Sequence, residues 1–344
     1  MIVEIGPAPY IAPAYPEETL FFATDRSAGA PAQDGVRRLR SLGALSAALG
    51  SAELTLVVCR PGFSSPWGPR HLGRQLFSRR LIEGRASLLS ALGPELLRRR
   101  RAAPLVVLDQ EDLPLIARSN LFLLDRCDDW FKRELPPDRW RVFLKTAHAN
   151  LPTPRFRLDP RRRAWVEKLR PISLGLPTEG APLLPLPPAE KTADVFFAGR
   201  VTGSSTLRER GLAELRALAG AGLSLDIPDA PLPREAFYAR CAAAHLVWSP
   251  EGLGWDCFRH YEAAACGAVP LINTPTIERH APIIAGQHAL YYDPEPGGLT
   301  RAVTAALADK AALARIAAAG GAHVMAHHTP AALARYVVES GRGS

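Results

Sequence analysis

Short apolar runs and longer stretches of helical periodicity alternate along the chain, and the alternation restarts midway. In the first half, strand-like runs at 53–59, 104–109 and 120–125 accompany an Arg-rich helical stretch at 71–101. Continuous apolar runs separated by helices mark strands that are covered on both faces, so this half predicts a parallel sheet in an α/β domain. The second half predicts a strand at 194–200 that ends in glycine, a helix at 206–219, a short strand at 223–227 and a helix at 234–244. A strand at 245–248, a glycine-rich turn, a short helix, a strand from Val269, a strand at 290–292 and helices from Gly298 onward complete it. Within that tail, Leu and Ile recur at helical spacing through the alanine-rich residues 301–321, which predicts a packed helical pair. The result is a second Rossmann-like sheet. Between the halves, residues 179–192 are too rich in proline for regular structure and read as a semi-rigid linker. The expected domains are therefore 1–178 and 193–344.

Length and composition agree with that division. A chain of 344 residues with 47% apolar content can bury two cores. A net charge of +8 and a pI near 9.5 fit an anionic ligand or surface without choosing among nucleotide sugar, nucleic acid and lipid headgroup. The cations are mostly Arg, with Lys only at 132, 145, 168, 191 and 310, and beside abundant Ala and Pro this reads as a GC-rich coding bias that discounts the charge. Five scattered cysteines suggest neither a disulfide framework nor a zinc site, which leaves a reducing cytoplasm as the expected compartment. The opening residues Met1 to Pro7 lack a basic leader pattern, and no stretch approaches the roughly 20 apolar residues that span a bilayer. Peripheral contact with the inner face of a membrane stays open.

The candidate chemistry lies in residues 249–272. Gly252 and Gly254 are expected to supply positive φ and close backbone approach, and the N–H groups that open the helix near Asp256 attract anions. Arg259 and Glu262 stand three residues apart and share a helix face. Arg can clamp diphosphate oxygens, while Glu accepts hydrogen bonds from ribose hydroxyls. The same spacing also suits a solvated ion pair, but the two-glycine turn and the small apolar surroundings point this pair at a cleft. Gly267 then ends the helix. Ligands of open α/β sheets lie beyond the carboxyl ends of the strands, so residues 199–205 and 251–255 should converge on one crevice. Arg200 follows Gly199 and aims into it, and Arg208 is either a phosphate ligand or a surface charge beside Glu209. Trp248 reads as core, and Trp255 as a cleft wall able to stack on a base or sugar.

Phe196 to Arg200, Leu207-Arg208, Arg259-x-x-Glu262-Ala263 and Gly267-x-x-Pro270 resemble the donor-binding half of exostosin-type and related bacterial polysaccharide glycosyltransferases of the GT-B class. Gln287 to Tyr292 and His328-Thr329-Pro330 extend the resemblance, which covers residues 190–338. It implies two Rossmann-like domains with a cleft between them, and transfer of a sugar from a nucleotide-diphosphate donor to an acceptor hydroxyl. Glu251 and Glu262 stand three residues further apart than the Glu-x7-Glu pattern of the larger retaining family, so the resemblance carries a ribose role to Glu262 and no sugar-contacting role to Glu251. Asp129 to Leu135 and Pro171 to Gly175 look like segments of the same families and carry no catalytic role.

Such a reaction gathers negative charge on the leaving phosphate, which Arg and helix N-termini stabilise without a metal. No Asp-x-Asp occurs anywhere, so metal-independent catalysis is expected, with no cofactor beyond the nucleotide-diphosphate sugar itself. An inverting reaction would need a base, for which Asp109 and Glu111 are the strand-end candidates, although they could equally cap the next helix. His323, His327 and His328 lie close in sequence without a nearby carboxylate or Cys, which favours exposed or capping histidines over a metal site. The expected acceptor is a saccharide, a lipid-linked sugar or a protein, and no nucleic acid is expected. Two alternatives compete: a non-catalytic basic protein binding RNA or an anionic polymer through the arginines of 71–101 and 161–163, and a nucleotide-sugar epimerase. Aromatic content of only 7% speaks against the RNA reading.

Overall fold

The computed structural model describes residues 1–24, 35–59, 103–144, 146–148, 151–152, 163–201 and 205–343. The Arg-rich stretch at 71–101, Arg161, Arg162 and residues 202–204 lie outside the described residues. Two compact units are present, one of residues 1–172 with 334–344 and the other of residues 173–333.

The first unit is built on a seven-stranded, all-parallel sheet. Its strands are β1 (Ile2–Gly6), β2 (Thr19–Ala23), β3 (Arg37–Arg38), β4 (Leu54–Cys59), β5 (Leu105–Asp109), β6 (Asp129–Lys132) and β9 (Leu169–Pro171), in the order β3-β2-β1-β4-β5-β6-β9. A small antiparallel pair, β7 (Thr146–His148) and β8 (Leu151–Pro152), stands apart from it. Helix α1 (Leu42–Ser51) starts where Ser41 accepts the amide of Ala44, and it buries Leu45 and Leu49. Helix α2 (Arg163–Glu167) is a single exposed turn and a half carrying an Arg163–Glu167 ion pair. Residues 120–125, expected as a strand, lie instead in and just after a 3-10 helix at Arg118–Leu123. The run of leucines satisfies either period, and here the turn buries Leu123 and Leu124 while leaving the sheet position to Trp130 and Phe131.

The second unit holds β10 (Ala193–Phe196), β11 (Leu225–Asp226), β12 (Ala244–Trp248), β13 (Val269–Asn273) and β14 (Leu290–Tyr292), all parallel, in the order β11-β10-β12-β13-β14. Its helices are α3 (Thr206–Gly220), α4 (Arg234–Ala242), α5 (Phe258–Ala265), α6 (Gly298–Leu307) and α7 (Lys310–His327). Successive side chains of β10 and its extension alternate faces: Val195 and Phe197 pack with Trp248 and Leu215, and Phe196 packs with Val247 and Tyr261. The unit therefore has a core on each side of its sheet. Gly211 of α3 makes this packing close, since a Cβ there would overlap the indole of Trp248.

Residues 179–192 contribute to the second unit. Ala181–Leu183 form a 3-10 turn, Leu184 is buried in the core, and Leu186 packs beside it. Helix α8 (Pro330–Gly343) starts in the second unit and ends in the first, where Gly341 seats against Leu54 and Val106 and the Tyr336 ring stands edge-on to Phe131 at 5.1 Å. Among the described residues no helix is long and apolar enough to cross a membrane, and the cysteines are free thiols.

Candidate functional site

The sheet order of the second unit reverses direction between β10 and β12, which is the switch point where open α/β sheets leave a crevice beyond the strand ends. The loops that leave these two strands carry Gly199-Arg200 and Ser249 to Cys257. One side chain ties them together. Arg208, on the first turn of α3, is buried and donates from Nη1 to the Arg200 carbonyl at 2.9 Å, from Nε to the Glu251 carbonyl at 2.8 Å and from Nη2 to the Pro250 carbonyl at 3.3 Å. It is not a surface charge; it clamps the two loops. Gly252 passes close above it, since a Cβ would stand 3.1 Å from Nη2 of Arg208.

The glycine-rich loop is pinned at both ends. His260 donates from Nε2 to the Trp255 carbonyl over 2.8 Å, and its Nδ1 shares a hydrogen bond with the Ser249 hydroxyl over 2.7 Å. Between those points the Gly252 amide donates to the Gly254 carbonyl at 2.9 Å. Neither glycine has positive φ, contrary to the expectation from sequence. Gly252 is needed for room beside Arg208 rather than for a left-handed backbone. Gly267, in contrast, does close α5 at φ +77°. Asn273, at the end of β13, receives the Glu251 amide at 2.9 Å and donates to Glu251 Oε2 at 3.0 Å, so the backbone and the carboxylate of Glu251 are both held.

Arg259 sits on the first turn of α5, a helix whose Cys257 N-cap supplies no side-chain cap. Its guanidinium stands over the Phe197 ring at 5.2 Å and fills the space left by Gly199, where a Cβ would be 2.5 Å from Nη2. Nε and Nη1 of Arg259 are buried and have no hydrogen-bond partner. Burial pushes this guanidinium below its ordinary range, and the charge of Arg208 acts in the same direction. Buried donors without hydrogen-bond partners beside a second cation cost stability.

One turn further along α5, Glu262 accepts the Tyr238 hydroxyl at 3.0 Å. Burial raises the Glu262 carboxyl, while Tyr238, Arg259 and Arg234 act against that rise. The structure thus gathers Gly199, Arg208, Gly252, Arg259 and Glu262 around the switch point and leaves Arg200 exposed at its edge with its carbonyl engaged. Trp255 differs from the expectation of a cleft wall. It is 3% exposed, donates from Nε1 to the Asn273 carbonyl at 2.9 Å and lies among His260, Tyr291 and Arg279. An indole whose N–H finds a carbonyl inside the fold belongs to the core. Gly254 is likewise buried.

The strand-end carboxylates of the first unit also depart from expectation. Asp109 is 2% exposed and pairs with the fully buried amine of Lys132 at 3.1 Å, the residue opposite it on β6. Its Oδ1 also receives the Glu111 amide at 3.2 Å, and Lys132 donates to the Glu111 carbonyl at 3.3 Å. Glu111 is half-buried. A carboxylate that neutralises a buried amine and closes a strand end is structural, so the base role expected for Asp109 is not carried forward.

The C-terminal histidines cluster around a backbone carbonyl, with His288 stacked on His323 at 4.1 Å. His323 and His328 both donate from Nε2 to the Ala281 carbonyl at 2.9 Å, and Ala281 itself is left-handed at φ +38°. Among the described residues no group of three or more His, Cys, Asp and Glu side chains is arranged to hold a metal ion. His328, 1% exposed, is pulled down to about 3 by burial and then by His323. Its folded value lies below the ordinary one of 6.5, so its contribution is complete above that pH and is lost as pH falls toward 3. Unfolding free energy is expected to drop by roughly 2 kcal/mol between pH 7 and pH 5 from this residue alone. Urea titrations at both pH values check this, and His328→Gln should flatten the difference.

Residues that reading the sequence did not single out are Tyr238, Asn273 and His260. Asn273 ends a strand beside the switch point, so the strand-end rule reaches it. Tyr238 lies 24 residues from Glu262 and no local pattern signals the contact.

Residues 235–339 match a family model described as glycosyl transferase-like. No curated protein sequence matches the chain. Among solved structures, sucrose-phosphate synthase from Thermosynechococcus elongatus is similar at 13% identity and TM-score 0.53, with 100% of this chain and 98% of that one covered. Anabaena HepE in complex with UDP-glucose is similar at 12% identity and TM-score 0.52, with 99% of each chain covered. A trehalose-phosphate synthase (UDP-forming) from Burkholderia vietnamiensis follows at 15% identity and TM-score 0.52, again with 99% of each chain covered.

Proposed function

We propose that this chain, which has the two-domain GT-B fold and carries a glycosyl transferase-like domain at 235–339, moves a sugar from a nucleoside-diphosphate donor to an acceptor hydroxyl. The observation that carries the reading is the buried guanidinium of Arg259, unpartnered at Nε and Nη1, at the switch point of the second sheet. Each of these buried donors can take a phosphate oxygen. As the bond from the sugar's anomeric carbon to the leaving oxygen breaks, charge accumulates on the diphosphate. The Arg259 guanidinium, the nearby Arg208 charge and the uncapped start of α5 are already in place to meet it, with no reorganisation during the step. Glu262, a turn away on the same helix, is the acceptor for ribose hydroxyls.

Support for the donor class comes from solved relatives of the same fold, one of which holds UDP-glucose. The acceptor is proposed by class only, as a hydroxyl of a saccharide, free or lipid-linked, or of a protein. Because two guanidinium groups stand where charge develops, the reaction is proposed to need no divalent metal.

A thermal-shift screen of UDP, GDP and ADP tests the donor site, and product analysis with the matching nucleotide sugars tests the reaction. One nucleoside diphosphate should raise the unfolding temperature in proportion to the logarithm of its concentration, and transfer or slow donor hydrolysis should survive EDTA. Absence of any shift contradicts the donor site. Epimerised sugar without transfer supports the epimerase instead, and loss of turnover in EDTA that metal restores contradicts the metal-free mechanism.

A further inference from the structure

Glu262 is held by a residue that nothing in the local sequence connects to it. Tyr238 is 1% exposed, and its hydroxyl donates to Oε1 of Glu262 at 3.0 Å. Burial, and then the Glu262 charge, pushes the phenol up, so it stays protonated and remains the donor. Arg234, on the same helix as Tyr238, acts against that rise and stands 3.8 Å from Glu179. Gly180 closes the group from the other side. A Cβ there would overlap the Tyr238 hydroxyl and come within 2.8 Å of Nη1 of Arg234. Gly180 has φ −94° and ψ −31°, a conformation open to any residue, so its small size serves the phenol and not the backbone.

A carboxylate's terminal torsion is broad and settles only when an oxygen is tied down. With Oε1 fixed by Tyr238, the plane of the Glu262 carboxylate is set and Oε2 is the oxygen left for a ligand. We propose that Tyr238 is the positioning residue that gives the site its preference for ribose over a sugar lacking the 2′ and 3′ hydroxyls, by holding Oε1 of Glu262 so that Oε2 accepts from the diol. This inference rests on the donor-site reading above. The groups facing Glu262 are Tyr238, Arg234 and Cys241 from α4 and Arg259 from its own helix. Loss of the phenol removes the first of the influences that keep Glu262 ionised.

The test measures binding of the best nucleoside diphosphate from the screen and of its 2′,3′-dideoxy counterpart to wild type, Glu262→Gln, Tyr238→Phe and Gly180→Ala by calorimetry. Thermal unfolding of each variant monitors folding. Wild type should prefer the ribonucleotide tenfold or more. Tyr238→Phe keeps the ring in place and should weaken ribonucleotide binding on the order of tenfold while leaving the dideoxy ligand unchanged. Gly180→Ala should reproduce that selective loss by displacing the hydroxyl, and in Tyr238→Phe the acid limb of ribonucleotide binding should move to higher pH. If Glu262→Gln abolishes the preference but Tyr238→Phe retains it, or loses both ligands equally, Tyr238 has no positioning role and the donor site stands. If wild type binds both ligands alike, Glu262 has no ribose role and this inference fails while the diphosphate site at Arg259 stands; if wild type binds neither, the donor-site reading fails and this inference falls with it.

Discussion

Replacing Arg259 with Met is expected to make the unliganded protein more stable and to abolish its response to nucleoside diphosphates. The two effects have one cause. Arg259 Nε and Nη1 are buried without hydrogen-bond partners, so the unliganded protein carries the desolvation cost of a charge, offset in part by the face of Phe197 and the nearby Glu262 charge. An unsatisfied buried donor costs on the order of 1–3 kcal/mol, against about 0.5–2 kcal/mol for a cation over an aromatic ring. Met keeps most of the stem's packing, and each kcal/mol recovered raises the unfolding temperature by about 2–4 °C in a domain of this size. On the ligand side, two hydrogen bonds to a charged group at about 1.5–3 kcal/mol each correspond to a loss of at least about a hundredfold in affinity. Differential scanning fluorimetry with and without ligand reads both. A variant that loses stability and still responds to nucleotide would contradict the assignment. Few surface arginines behave this way, because a solvated guanidinium carries no desolvation cost to recover.

The second large effect concerns the first unit. Asp109→Asn is expected to destabilise it by about 3–5 kcal/mol, because the fully buried Lys132 amine then has no counter-charge. Adding Lys132→Met should restore most of that loss, since the Asn side chain still accepts the Glu111 amide and the buried charge is gone. The comparison separates structure from chemistry. A catalytic base at Asp109 would instead give a single variant that folds like wild type and turns over poorly, and the second substitution would not rescue it. Urea denaturation of the single and double variants, read beside donor turnover, decides between the two outcomes.

Much of the donor half is legible in the sequence because its cues are local. The strand, two-glycine turn, short helix and glycine stop of 244–267 follow from apolar runs, a helix-spaced Arg and Glu, and Gly267 at φ +77°. What failed there was the reason for individual residues. Gly252 looks like a turn glycine, but its use is set by Arg208, which approaches from 44 positions away in the chain. Trp255 looks like a ligand platform because it sits in a polar, glycine-rich stretch, yet its indole N–H is satisfied by the Asn273 carbonyl of a neighbouring strand. The strand β1 escaped notice for a similar reason. Glu4 interrupts its apolar run, and only the folded chain shows the amides of Tyr10, Ile11 and Ala12 converging on that carboxylate. Long-range pairings of this kind, including Tyr238 with Glu262 and Asp109 with Lys132, leave no period or spacing to detect.

The role of Arg259 as the diphosphate ligand is tested most directly by a crystal structure with the nucleoside diphosphate bound. Phosphate oxygens should lie about 2.7–2.9 Å from Nε and Nη1 of Arg259, at the ends of β10 and β12. A diphosphate bound elsewhere, with those two nitrogens still unpartnered, would contradict it.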